Sequence, residues 1–161
     1  MKQKSEENLA PPDDVMEELT TRAYIPHREN LNEAQNIFQA FDFILPNGDP
    51  SIFKIECDHL AAEDIECFAK MVGHVSFKSV EGIPRGGVPF AEALEKYIDP
   101  ESEVHLVVDD VLASGKSMTD AMQAAFDRGE EVVRGIVIFS RGPKINNCVP
   151  IFQMHPFWSE L

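Results

Sequence analysis

The sequence predicts an α/β fold, a central parallel sheet flanked by helices. Two strand–turn–helix units follow one another: "VSFKSVEGIPRGGVPFAEALEKYI" over residues 75–98, then "EVHLVVDD", a Ser/Gly/Lys turn and "MTDAMQAAFDRG" over 103–129. A further apolar strand, "EVVRGIVIFSRG", follows at 131–142. Successive units of this kind pair their strands in parallel and lay the connecting helices on the faces of the sheet. The apolar runs are strand-sized, too short to span a bilayer.

The remaining elements follow in chain order. Residues 1–20, "MKQKSEENLAPPDDVMEELT", are polar and acidic, are interrupted by Pro11 and Pro12, and have little to bury. They are expected to form a flexible N-terminal arm, helical from Asp13. "NLNEAQNIFQAFDFIL" carries Leu31, Ala34, Ile37, Phe38 and Phe41 at helical spacing and predicts a helix that "PNGD" ends. "PSIFKIECD" alternates like a strand after that turn, so 41–58 also reads as a hairpin. "LAAEDIECFAKMVG" is amphipathic and stops at Gly73. With 161 residues and 43% hydrophobic content, residues 21–161 suffice for a single domain with its own core.

The stretch "HLVVDDVLASGKSM" ends in Gly-Lys-Ser, as nucleoside-triphosphate loops do. Such a loop needs a glycine where this chain has Asp110, so that N–H groups can wrap the phosphates. Asp109 and Asp110 would instead repel a polyphosphate unless a cation or hydroxyl groups lay between. The turn after them can hold one phosphate monoester, through backbone N–H groups, the Ser114 and Ser117 hydroxyls and the helix dipole. Carboxylates accept hydrogen bonds from vicinal hydroxyls and attract Mg²⁺. A ribose 5-phosphate satisfies both halves. The alternative is that the acids end a strand and cap a turn. In "EGIPRGGVPFA", Gly86 and Gly87 bring N–H groups near a ligand and Arg85 offers a planar cation to phosphate oxygens. A strand-to-helix turn with a surface arginine is its plain alternative.

The run "VVDDVLASGKSM" resembles the signature of the type I phosphoribosyltransferase family: a hydrophobic run, two acids, two apolar residues and a small-residue loop with a glycine and hydroxyls. Arg85, Gly86 and Gly87 stand in the place and order of that family's pyrophosphate loop. "FDFILPNGDPSIFKIECDHL" looks like the hairpin that opens orotate phosphoribosyltransferases, and the likeness covers residues 40–140. It implies a Rossmann-like sheet under a small hood from the chain ends, and a phosphoribosyltransferase-like domain over 21–161. It implies phosphoribosyl pyrophosphate as substrate, with Asp109 and Asp110 on the ribose hydroxyls and on a Mg²⁺ shared with the pyrophosphate, and Arg85 beside the leaving group. Ala113, Ser114, Gly115, Lys116, Ser117 and Met118 would form the 5-phosphate cradle, Lys116 through its N–H. A basic residue after the last core strand and a C-terminal tryptophan contact the base in xanthine-type relatives. Arg141 and Trp158 occupy similar places, and a homodimer is the implied assembly. Phe152, Phe157 and Trp158 equally suit a core cover or a dimer interface.

Two departures bear on catalysis. Purine-type relatives carry an aspartate where this chain has Ala113, so the change favours a pyrimidine-like or already anionic acceptor. Family enzymes also carry a long mobile loop between the pyrophosphate turn and the acid pair. Here only "VPFAEALEKYIDPESE" separates Gly87 from Val104, with Lys96 its single cation. That leaves no room for a lid. A transferase and a non-catalytic nucleotide or phosphoribosyl pyrophosphate binder therefore both remain open, and an interaction subunit is a third reading.

The formal net charge of −14 argues against a nucleic-acid backbone or an anionic membrane as partner. Cys57, Cys67 and Cys148 fit no metal pattern and read as buried thiols in a reducing cytoplasm. His27, His59, His74, His105 and His155 lack metal-ligand spacing and read as neutral structural residues.

Overall fold

A computed structural model of the chain describes residues 36–39, 43–44, 50–51 and 53–154. The expected arm over 1–20 and Trp158 lie outside them. Four strands, β5 (Ser79–Gly82), β6 (Val104–Leu112), β7 (Val132–Ser140) and β8 (Cys148–Gln153), form a parallel sheet in that order. Before them come short strands β1 (Phe38–Gln39), β2 (Phe43–Ile44), β3 (Pro50–Ser51) and β4 (Lys54–Ile55). The helices are α1 (Ala62–Val72), α2 (Gly87–Leu94) and α3 (Lys116–Asp127).

The sheet is buried on both faces, which is why β6 and β7 are nearly continuous apolar runs. Leu106, Val108, Ile136 and Ile138 face Ala69 of α1 and Phe90, Ala91 and Leu94 of α2. Val107, Val133 and Val137 face Met118, Met122 and Ala125 of α3. Phe77, Phe90 and Leu94 are fully buried, each stabilising the fold by about 1.5–3 kcal/mol. His105 is the buried polar residue of the β6 run; its Nδ1 lies 2.8 Å from Ser79 Oγ. It is a structural histidine, as expected.

The second strand–turn–helix unit closes cleanly. Gly129, at φ +99°, follows α3, its N–H donating to Phe126 O, while the Glu130 N–H reaches back to Ala125 O. That pair of bonds is a Schellman ending, and a left-handed glycine makes it possible.

Three expectations are corrected. Residues 37–39 do not continue a helix: Phe38 pairs with Ile55 and Gln39 with Lys54 in an antiparallel ladder. Phe43 pairs with Ser51 and Ile44 with Pro50 in a second ladder nested inside it in sequence, so the hairpin reading holds and begins earlier than expected. The apolar spacing suited either element; cross-strand pairing and the contact of Phe38 with Phe139, edge-on at 5.8 Å, decide for strand. The second correction is Cys67, which is exposed on α1 rather than buried. The third concerns the C-terminal segment, expected in the hood, which first adds β8 to the sheet. Pro150 argues against a central strand but is tolerated at an edge, where β8 lies. There Phe152 stacks on Phe139 at 5.5 Å. Among the described residues, no helix is long and apolar enough to cross a membrane.

Candidate functional site

The carboxyl ends of β5 and β6 bring the two motifs together, where a parallel sheet places its ligands. The chain leaves β5 at Gly82, and the Ile83 N–H extends the pairing by donating to Val108 O at 2.9 Å. That bond lays the turn over 83–86 directly against the acid pair. A Cβ built on Gly86 would meet Asp110 Oδ2 at 2.1 Å, and one on Gly87 would meet Val108 O at 2.3 Å. The Pro84–Arg85 peptide is cis. Arg85 is exposed at a cavity of about 170 Å³ shared with Cys57, Asp58, Gly86, Phe90 and Asp110.

Asp109 and Asp110 are half-buried neighbours on β6, which continues two residues beyond them to Leu112. The Asp110 N–H donates to Asp109 Oδ1 at 3.0 Å and the Val111 N–H to Asp110 Oδ1 at 2.6 Å. These bonds fix the carboxylates without neutralising them. Burial, then repulsion from Asp110, pushes the Asp109 carboxyl up to about 7. Burial and the same Asp110 charge push the Cys57 thiol well above its usual range. Asp110 lines that cavity with Asp109 crowded against it, and such a pair of carboxylates suits a hard cation. Among the described residues, no group of three or more His, Cys, Asp or Glu side chains surrounds a metal position. Among the described residues, a cation at this pair would meet two protein carboxylates at most and would have to complete its shell with water and ligand oxygens, as Mg²⁺ can.

Beyond β6, the turn over 113–117 enters α3. Gly115 has φ +80° and is buried, while Ala113, Ser114, Lys116 and Ser117 are exposed. The Gly115 carbonyl is turned into the helix, accepting from the Thr119 N–H at 3.0 Å and from Thr119 Oγ1 at 2.9 Å. The N–H groups of the first helical turn lack a helical carbonyl partner; that of Lys116 reaches Ser114 Oγ at 3.4 Å, and those of Ser117 and Met118 are available to an anion. The Met118 side chain is core, so only its N–H can serve that cradle. The Lys116 ammonium pairs with Asp120 one turn on.

A Gly-Gly turn against an acid pair, followed by a hydroxyl-bearing helix start, can hold a phosphorylated sugar at one end and a second phosphate group at the other. No family model matches the chain. It is 28% identical over 149 residues to an orotate phosphoribosyltransferase of Pyrobaculum islandicum, covering 70% of this chain and 77% of that protein. It superposes on the crystal structure of orotate phosphoribosyltransferase from Aeropyrum pernix with a TM-score of 0.59 at 19% identity, over 80% of this chain and 95% of the other. The structure of Leishmania donovani UMP synthase gives 0.60 at 18% identity, over 77% of this chain and 36% of that one.

The chain has the type I phosphoribosyltransferase fold and is orotate phosphoribosyltransferase-like.

In this phosphoribosyltransferase-like chain, the connection between the Gly-Gly turn and the acid pair is compact. α2 passes into a 3-10 turn over Glu95–Tyr97, and the link to β6 is tied down where the Asp99 N–H donates to Phe77 O and Ser76 Oγ to Asp99 Oδ2. Lys96, its cation, pairs with Glu66 of α1. Arg141 leaves β7 toward the hairpin, its guanidinium 4.4 Å over the Phe53 ring and donating to Phe53 O at 3.1 Å. Trp158, its expected companion, lies outside the described residues.

Cys57 and Asp58 line the cavity although sequence reasoning assigned them no part in the site. No spacing announces them, because they reach Asp110 through the tertiary path of the hairpin.

Proposed function

We propose that this chain binds phosphoribosyl pyrophosphate and transfers ribose 5-phosphate to a nucleobase in a Mg²⁺-dependent, orotate-like reaction. The contact of Gly86 with the Asp110 carboxylate carries the reading, because it joins a pyrophosphate turn and a ribose-binding acid pair in one site. Ala113 to Met118 hold the 5-phosphate through backbone N–H groups and the Ser114 and Ser117 hydroxyls. Asp109 and Asp110 accept from the ribose hydroxyls and offer carboxylate oxygens to Mg²⁺. When bound, that ion neutralises charge on the leaving pyrophosphate.

A ring nitrogen of the base forms a bond to the anomeric carbon as the carbon–oxygen bond to pyrophosphate breaks, the pyrophosphate leaving with the electron pair. The protein positions the partners and stabilises charge. Arg85 and the N–H groups of the Gly-Gly turn face the leaving oxygens, while the two aspartates favour the positive character that develops on the sugar. Arg141 and Trp158 are assigned to the base. Ala113 supplies no carboxylate to take a proton, which favours an acceptor that is already anionic. A cytoplasmic homodimer with an acidic arm over 1–20 completes the proposal.

The compact link after Tyr97 favours a second reading, a binder of phosphoribosyl pyrophosphate or a nucleotide that performs no transfer. A link this short leaves little chain to close over the site, and where water is not excluded transfer to a base competes with hydrolysis.

Pyrophosphate release from phosphoribosyl pyrophosphate with Mg²⁺ separates the two. The assay is run against orotate, uracil and the common purines, with Asp109→Asn plus Asp110→Asn as control. Release that needs one base and both aspartates supports the transferase. Calorimetric binding without release supports the sensor. Absence of binding by the unaltered chain overturns both.

A further inference from the structure

The turn over 113–117 has little of its own to hold it open. Its internal bond, from the Lys116 N–H to Ser114 Oγ, is 3.4 Å long, at the outer limit of such contacts. The segment Arg141–Ile145, in the link from β7 to β8, stands directly behind it. The Arg141 N–H donates to Leu112 O at 3.0 Å, extending the β6–β7 pairing up to the mouth of the turn. A Cβ on Gly142 would lie 1.7 Å from Ala113 O, so the two backbones are in direct contact. A Cβ on Gly115 would lie 2.4 Å from Ile145 Cδ1, so that methyl group packs where the turn bends through its left-handed residue. Leu112 lies in the core and Ile145 packs against that same cluster. The inner side of the turn is therefore packed, and its outer side, with Ser114, Lys116 and Ser117, is open.

We propose that Gly142 and Ile145 are positioning residues that set the shape of the phosphate turn from behind, without touching the ligand. Gly142 admits the Ala113 carbonyl; a side chain there must push it forward into the cradle. Ile145 fills the space under Gly115; without its Cδ1 methyl, the turn can relax backward and the N–H groups lose their common focus. An anion held by converging N–H groups is sensitive to such shifts, since each hydrogen bond to a charged group is worth on the order of 10- to 100-fold in affinity. The inference rests on the reading of this turn as a phosphate site.

The test is calorimetry with inorganic phosphate and with ribose 5-phosphate on the full chain and on Gly142→Ala, Ile145→Ala and Ile145→Val. Melting temperatures and the Ser114–Ser117 amide shifts are recorded alongside. Expected is a loss of affinity of roughly 10- to 100-fold for Gly142→Ala and Ile145→Ala, on the order of one lost hydrogen bond to a charged group, with a smaller loss for Ile145→Val. Amide shifts should move before ligand is added, and where turnover is measurable the KM for phosphoribosyl pyrophosphate should rise more than kcat falls. If Gly142→Ala fails to fold, the Ile145 pair carries the test. Unaltered affinity in folded variants of a chain that binds phosphate overturns the positioning role alone. No phosphate binding by the unaltered chain overturns this role and the site reading together.

Discussion

The Asp110 carboxylate occupies the space that a side chain at residue 86 would need: a Cβ on Gly86 would stand 2.1 Å from Oδ2 and 2.3 Å from Cγ. The glycine thus sets how closely the turn approaches the acid. Gly86→Ala must displace either the turn or the carboxylate, and overpacking of this kind costs about 1–3 kcal/mol. Calorimetry should show binding of phosphoribosyl pyrophosphate weakened by more than about tenfold, the ratio that 1.4 kcal/mol represents. Val88→Ala, at an exposed position two residues on, serves as the comparison. Equal affinities in the two variants would refute the geometry.

The acid pair gives a pH prediction for the Mg²⁺-free chain. Asp109 rises from an ordinary value of 3.8 to about 7, chiefly through burial and then through the charge of Asp110. The folded value lies above the unfolded one, so between those limits the folded chain keeps a proton that the unfolded chain has released. Stability linked to this group is fully present below the unfolded value and is lost as pH rises through about 7. Asp109→Asn removes that loss. Thermal melts should therefore show the variant gaining on the parent as pH rises from about 4 to about 7, with little further change above that. Parallel pH curves for the two proteins would refute it.

These two motifs were legible in the sequence because each is local. A strand, an acid pair and a helix start lie within one run, and a Gly-Gly turn within another. Their contact follows from the rule that parallel strands bring their carboxyl ends to one edge. Other features are set by tertiary pairing instead. Phe38 carries the same apolar signal in a helix or a strand, and its partner Ile55 decides. β8 escaped because Pro150 breaks the strand pattern, and only its place at the sheet edge makes it acceptable. Gly142 behind Ala113 left no trace in spacing at all.

The cysteines should differ sharply in reactivity. Cys67 is exposed on α1, whereas burial pushes the Cys148 thiol up to about 11 and that of Cys57 higher still. The thiolate is the reacting species, so both are protonated at neutral pH; Cys148 is also buried, while Cys57 is half-buried at its cavity. Iodoacetamide labelling followed by peptide mapping should modify Cys67 first, with Cys57 and Cys148 reacting only on unfolding. Early labelling of Cys57 would show that its thiol ionises readily, against the burial and the Asp110 charge that hold it protonated.

Arg141 joins the end of the sheet to the hairpin, and its chemistry makes that link testable. One guanidinium donates to Phe53 O at 3.1 Å while its face lies 4.4 Å over the Phe53 ring. A planar, delocalised cation can stack and donate at once; an ammonium is a compact charge that cannot present both faces. Arg141→Lys should therefore weaken the hairpin although net charge is preserved, by about 1–2 kcal/mol for a lost charged hydrogen bond and cation–π contact. The hairpin packs on one face of the sheet through Ile55 and Phe53, and the cluster on the other face, with Val107 and Val137, includes no hairpin residue among those described, so the effect should be local. Amide hydrogen exchange should speed up at Phe53–Ile55, while Val107 and Val137 keep their protection. Exchange that accelerates equally across β6 and β7 would mean that Arg141 stabilises the whole domain, and that the hairpin is not a separately opening unit.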